Sequence, residues 1–161
     1  MSVPTPRAPR VLISDKMNKL AEDIFRKKGV EVDVKSGLTP DELRAIIKDY
    51  DGLAIRSSTT VTPEIIAAAN GNLKVIGRAG IGVDNVDVKA ATAAGVIVMN
   101  TPFGNSITTA EHAIAMMFAL ARQLPEASAS THAGKWEKNK FMGVELFGKT
   151  LGVIGCGNIG G

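Results

Sequence analysis

Residues 53–76, LAIRSSTTVTPEIIAAANGNLKVI, hold one complete unit of a parallel sheet. Leu53-Ala54-Ile55 is a short apolar strand, and Thr62-Pro63 supplies a helix cap with proline in the first turn. Ile65, Ile66 and Ala69 then continue an apolar helical face, which Asn70-Gly71 ends before a second strand, Leu73-Lys74-Val75-Ile76. Strand, helix and strand in that order require a crossover, and crossovers join parallel strands.

The same rhythm extends in both directions. Upstream, Val11-Leu12-Ile13 is a strand, and the helix expected after Asp15 carries Leu20, Ile24 and Phe25 on one face until Lys27-Lys28-Gly29 closes it. Val30, Val32 and Val34 alternate with acidic residues in the next strand, and Thr39-Pro40-Asp41-Glu42 is a capping box for a helix through Leu43, Ile46, Ile47 and Tyr50. Downstream, a short alanine-rich helix from Val88 to Ala94 leads through Gly95 to Val96-Ile97-Val98-Met99. The chain is therefore an α/β protein with a parallel sheet.

At Asn100-Thr101-Pro102-Phe103-Gly104-Asn105 the alternation ends in a turn-rich hinge, where a domain boundary is expected between residues 101 and 102. A longer helix follows from Ser106 to about Gln123, apolar nearly all round at Ile107, Ile114, Met117, Phe118 and Leu120, so it needs cover on more than one side. Pro125 breaks or kinks it, and an irregular segment from Gly134 to Phe147 carries the only tryptophan, Trp136. Leu151-Gly152-Val153-Ile154 then reads as a buried strand running into Gly155-Cys156-Gly157-Asn158-Ile159-Gly160, a G-x-G-x-x-G turn that suits close approach of a pyrophosphate.

Composition narrows the function. With 45% hydrophobic and 22% charged residues the 161-residue chain is globular, and its net charge of +3 is spread among acids without a basic stripe, which disfavours nucleic acid. One cysteine excludes an internal disulfide and fits the cytoplasm. Met1 to Arg10 reads as a loose tail with no apolar signal segment, and Ile107 to Leu124 is interrupted by Glu111, His112 and Arg122, so no membrane span is expected. No metal site is read from the sequence.

Parallel sheets bind ligands beyond the carboxyl ends of their strands. One such end is Arg56-Ser57-Ser58-Thr59-Thr60, and the next is Arg78-Ala79-Gly80-Ile81-Gly82-Val83-Asp84-Asn85. A lone arginine there is usually a surface salt bridge or packs its stem; two on one rim, beside glycine-rich backbone, suit a small acid carrying both carboxylate and phosphate. His112 sits in an apolar helix beside Glu111, where a packed or interface histidine is the simpler reading than a general base. Cys156 occupies a variable position of the glycine turn that tolerates a small side chain, and Lys135, Lys138 and Lys140 around Trp136 and Phe141 read as an arm that docks on another subunit before they read as a stacking platform.

Four segments occur in order: 78–87, 100–106 with Ala110-Glu111, 134–137 and 148–155. Together they resemble the D-isomer-specific 2-hydroxyacid dehydrogenases from Val11 to Gly161. The resemblance implies a flavodoxin-like substrate domain around an inserted Rossmann NAD-binding domain, with catalysis in the cleft between them. It divides the chain into a tail at 1–10, the first part of the substrate domain at 11–101 and the start of the NAD-binding domain at 102–161. It also implies that Arg56 and Ser57 contact substrate, that Arg78, Ala79 and Gly80 line the cleft, and that Ile81 lies near the nicotinamide. Asn105 and Thr109 would be cleft residues, Thr109 on the cofactor side, while Gly155, Gly157, Asn158, Ile159 and Gly160 would meet the pyrophosphate of NAD. Asn158 stands where many relatives carry arginine.

The reaction so implied is reversible hydride transfer between NAD and C2 of a small phosphorylated hydroxy acid. The family's histidine, glutamate and arginine for that step fall beyond Gly161, so no catalytic residue is assigned here and the 161-residue chain is expected to be inactive alone. The long helix at 106–123 and the Trp136 arm would build a homodimer or larger homo-oligomer. A stand-alone anion-binding or dimerisation module, another D-2-hydroxyacid dehydrogenase and an NAD-sensing corepressor are the alternatives; the match through Lys135 to Gly143 points to the metabolic branch. A strand at Leu151–Ile154 without its neighbours cannot satisfy its backbone, so residues 135–161 are expected to be rearranged, borrowed by a partner or poorly ordered in solution.

Overall fold

The computed structural model describes residues 7–161, so part of the expected tail, residues 1–6, lies outside the described residues. The chain forms two compact units, one ending at Gly104 and the other spanning Asn105–Gly161.

The first unit is built on five parallel strands, β1 (Arg10–Ile13), β2 (Glu31–Val34), β3 (Gly52–Ile55), β4 (Val75–Arg78) and β5 (Ile97–Asn100), in the spatial order β2-β1-β3-β4-β5. This is the flavodoxin-like order, and it places the topological switch point between β1 and β3. Helices α1 (Lys19–Lys27), α2 (Pro40–Ile46), α3 (Pro63–Ala68) and α4 (Val88–Ala93) make the crossovers. Alternation along the strands sends Leu12, Leu53, Ile55 and Ile76 into one core with Leu43, Ile65, Ile66 and Ala91, while Val11, Ile13 and Ala54 pack on the other face with Ala21 and Phe25 of α1. Each fully buried leucine or isoleucine contributes about 1.5–3 kcal/mol.

Local signals explain most boundaries. Thr39 and Glu42 close the expected capping box on α2, the Glu42 amide reaching Thr39 Oγ1 at 3.3 Å and Glu42 Oε2 accepting from the Thr39 amide at 2.8 Å. Thr62 holds the N-cap position of α3, yet its carbonyl and not its hydroxyl takes the first helical amides, those of Ile65 and Ile66.

Three expectations about the first helix and the strands are corrected. The helix after Asp15 is capped by Asn18, and its Leu20 and Ile24 are 61% and 51% exposed, because Ala21 and Phe25, one turn apart, form the face that meets the sheet. The fourth strand begins two residues later than the apolar run, at Val75, since Leu73 is buried before pairing starts. Leu151–Ile154 forms no strand: among the described residues the second unit contains no strand with which it could pair, and Ile154 is fully exposed.

The second unit consists of α5 (Ser106–Ala121), α6 (Leu124–His132) and a 3-10 turn at Lys138–Lys140. The long helix ends earlier than expected because Gln123 adopts a left-handed conformation (φ 52°) and Pro125 sits in the first turn of α6. No residue of α5 is buried. Gly143, at φ 59°, approaches the end of α5 closely enough for the Val144 amide to bond the Ala121 carbonyl at 2.7 Å.

Candidate functional site

The carboxyl ends of β1, β3 and β4 form one rim of the first unit. Strand β1 runs directly into Ser14 and Asp15, both buried although polar. Asp15 Oδ2 accepts the Arg56 amide at 2.5 Å and the Thr59 amide at 3.3 Å, while Oδ1 accepts the Thr59 hydroxyl at 2.7 Å. Ser14 Oγ lies 2.9 Å from the same hydroxyl. A buried carboxyl group is tolerated only when its oxygens are satisfied, and here the turn after β3 satisfies them.

A second clamp acts from the loop after β4. Asn85 Nδ2 donates to the carbonyls of Arg56 (2.7 Å) and Thr59 (2.6 Å), and Val61 pairs with Val86 just beyond. The Arg56–Thr59 turn is thus gripped from both sides. The Arg56 guanidinium is exposed and donates to the Lys16 carbonyl at 3.3 Å, and the amides and hydroxyls of Ser57 and Ser58 have no hydrogen-bond partner among the described residues.

Arg78 is the last residue of β4, in register with Ile55, so Arg56 and Arg78 emerge from adjacent strands at the same end of the sheet. The Arg78 guanidinium folds back over Gly80 and makes no hydrogen bond or ion pair among the described residues; its Nε is buried and unpartnered. Of the loop amides expected to meet an anion, two are occupied: the Ala79 amide extends the ladder to the Ile55 carbonyl at 2.8 Å and the Gly80 amide closes on the Arg78 carbonyl at 3.0 Å. The loop is pinned to β5, since the Thr101 amide bonds the Gly80 carbonyl (2.9 Å) and Asn100 Nδ2 bonds the Ile81 carbonyl (2.7 Å).

The remaining expected site residues lie in the second unit. Thr109 Oγ1 donates to the Asn105 carbonyl at 2.7 Å within α5. Gly155, Gly157, Asn158, Ile159 and Gly160 lie in an exposed, irregular segment. Gly155 has φ 92°, and a Cβ on Gly160 would collide with the Gly155 carbonyl, so these two positions suit glycine. The glycine chemistry fits a pyrophosphate, but residues 151–161 form neither the strand nor the helix N-terminus that would aim it, so this segment as folded does not constitute an NAD site.

The sequence profile of the D-isomer specific 2-hydroxyacid dehydrogenase catalytic domain matches residues 11–152. The chain belongs to this family. It is 52% identical over 151 residues, 94% of its length, to a D-3-phosphoglycerate dehydrogenase of Archaeoglobus fulgidus, of which it covers 28%. Among solved structures it resembles a Thermus thermophilus protein (TM-score 0.84, 35% identity, 94% of this chain and 50% of that one). It also resembles an NAD-bound 3-phosphoglycerate dehydrogenase of Entamoeba histolytica (TM-score 0.76, 32% identity, 96% and 48%). The chain therefore spans between a quarter and a third of the curated relative's length and about half of each solved chain.

As a member of this dehydrogenase family, the chain has its substrate-domain fold. Asp15, Thr59 and Asn85 are the rim residues that sequence reading missed as a group. One signal was available: an aspartate directly after a buried strand, at the end of the sheet where ligands bind. Among the described residues no helix is long and apolar enough to cross a membrane, and no group of histidine, cysteine and acidic side chains could hold a metal ion.

Proposed function

We propose that this chain supplies the substrate-binding portion of an NAD-dependent enzyme that oxidises 3-phosphoglycerate to 3-phosphohydroxypyruvate, a step of L-serine formation. The observation that carries the reading is the partnerless guanidinium of Arg78 at the same strand ends as Arg56 and the free amides of Ser57 and Ser58. An arginine fork pairs with carboxylate or phosphate through two parallel bonds, and such a pair satisfies a buried Nε that otherwise costs free energy. In this proposal Arg56, Ser57, Arg78, Ala79 and Gly80 face the acid. The relatives' names support the substrate class, and NAD would supply the hydride acceptor when bound to Gly155, Gly157, Asn158, Ile159 and Gly160 in the whole enzyme.

The role of the 161 residues is to bind and orient the acid. Both histidines, His112 and His132, lie in the helices of the second unit, and the first unit has none to take the hydroxyl proton. The 161-residue chain alone is expected to have no turnover. Titration calorimetry with 3-phosphoglycerate and with NAD tests the proposal: heat with the acid and none with NAD supports it. Reduction of NAD by the pure chain, abolished by Arg56→Ala, contradicts the inactivity.

A second reading, dimerisation through residues 106–123 and the Trp136 arm, is favoured by exposure: Ile107 and Leu120 of α5 are 75% and 74% exposed, and Trp136 is 85% exposed. Apolar surface of this kind calls for a cover, and a second copy of the chain supplies it.

A further inference from the structure

The rim holds a buried acid that the binding reading above does not use. We infer that Asp15 is a positioning residue: through Thr59 and the Arg56 amide it fixes the turn that presents the Ser57 and Ser58 amides and the Arg56 guanidinium to an anion. The inference rests on the proposed anion site.

Asp15 is 4% exposed and no cationic side chain among the described residues pairs with it. Its contacts are to the turn after β3 alone, 41 and 44 residues away in sequence. Drawing the Arg56 and Thr59 amides inward leaves the two intervening amides, those of Ser57 and Ser58, as the unused donors. Successive free amides in a turn can converge on one anion, and their aim depends on the flanking residues being held. Ser14 Oγ extends the hold by orienting the Thr59 hydroxyl, and Asn85 closes the turn from the other side by taking the Arg56 and Thr59 carbonyls. Nothing else among the described residues bonds the Arg56 amide.

The carboxyl group acts here through acceptor geometry. In Asp15→Asn the amide oxygen can take both backbone donors, and the new NH2 can donate to the Thr59 hydroxyl, which then donates to Ser14. Asp15→Ala removes all three acceptor contacts. Thr59→Val keeps the volume and both backbone bonds while deleting the hydroxyl bridge.

The test is a nitrogen-15 NMR titration of the 161-residue chain with 3-phosphoglycerate, and with inorganic phosphate as a simpler probe, following the Ser57 and Ser58 amides. In the unaltered chain both resonances shift saturably. Asp15→Asn retains the affinity within about twofold, Thr59→Val weakens it about threefold and Asp15→Ala about tenfold or more, as expected for losing one and three hydrogen bonds near the site. Amide exchange of Leu12 and Leu53 stays slow in all folded variants, while exchange at Arg56 and Thr59 accelerates in Asp15→Ala. If the unaltered chain shows no shift at Ser57 and Ser58, the anion site itself fails. If it binds and Asp15→Ala binds equally well, only the positioning role is overturned; should Asp15→Ala not fold, unchanged binding in Thr59→Val together with lost binding in Asp15→Asn overturns it instead.

Discussion

The guanidinium carbon of Arg78 lies 2.7 Å from where a Cβ on Gly80 would stand. Gly80 needs no left-handed backbone, so the glycine is required by the arginine above it and not by its own turn. Gly80→Ala therefore displaces a flexible side-chain end while leaving the fold intact. The expected change in unfolding free energy is below about 1 kcal/mol, with a clear loss of 3-phosphoglycerate affinity by calorimetry. Unchanged affinity would show that Arg78 does not bind in the pose it holds here.

Arg78 itself separates binding from stability. Because its Nε is buried without a partner, Arg78→Ala relieves an unsatisfied group, and the melting temperature is expected to hold or rise. Affinity for the phosphorylated acid should fall by roughly tenfold or more, and Arg78→Lys should not restore it, since an ammonium cannot make the bidentate pair. A drop in melting temperature on Arg78→Ala, with affinity unchanged, would assign the residue to structure.

On the edge strand β2, Asp33 Oδ2 accepts the Tyr50 hydroxyl at 2.8 Å and Arg10 at 2.6 Å, with the Arg10 guanidinium 4.9 Å above the Tyr50 ring. The Tyr50 hydrogen bond and then Arg10 hold the Asp33 carboxyl below the ordinary carboxylate range, and burial with the Asp33 bond pushes Tyr50 up to about 12. A depressed carboxyl stabilises the fold above its unfolded pKa and loses that contribution as pH falls through its folded value; a raised phenol stabilises below its unfolded pKa and loses that as pH rises from about 10 to 12. Denaturant melts should thus weaken at both extremes. Asp33→Asn should flatten the acid limb, and an unchanged limb would remove Asp33 from the account.

Gly143 combines φ 59° with a Cβ position only 2.9 Å from the Arg122 Cα and tighter still against the Ala121 carbonyl. Both obstacles are backbone and cannot swing away. Gly143→Ala is expected to cost about 2 kcal/mol or more locally. Faster amide exchange at Val144, whose bond to Ala121 would break, is the direct readout.

For α5, the expectation is self-association. Sedimentation velocity should show a concentration-dependent dimer that Leu120→Glu weakens, and a strict monomer at high concentration would dismiss the dimerisation reading.

Much of the fold was legible in local signals. Thr39-Pro40-Asp41-Glu42 defines its own helix start, because a capping box is satisfied within four residues, and the apolar runs at Val11–Ile13 and Leu53–Ile55 mark buried strands without reference to the rest of the chain. Arg56 and Arg78 were legible as rim residues for the same reason: each directly ends a strand pattern.

Other features are not local properties. Which side of α1 packs depends on where the sheet lies, so Leu20 and Ile24 yield to Ala21 and Phe25. A strand needs a neighbour for its hydrogen bonds, so the apolar run at Leu151–Ile154 stays irregular within a unit that offers no partner among the described residues. The amino-acid sequence by itself determined the alternation, the capping box of α2, the family and the two arginines. Only the tertiary structure decided that Asp15, Arg56, Thr59 and Asn85 meet, because strand order, and not chain distance, places β1 beside β3 and brings the loop after β4 against the turn that β1 holds.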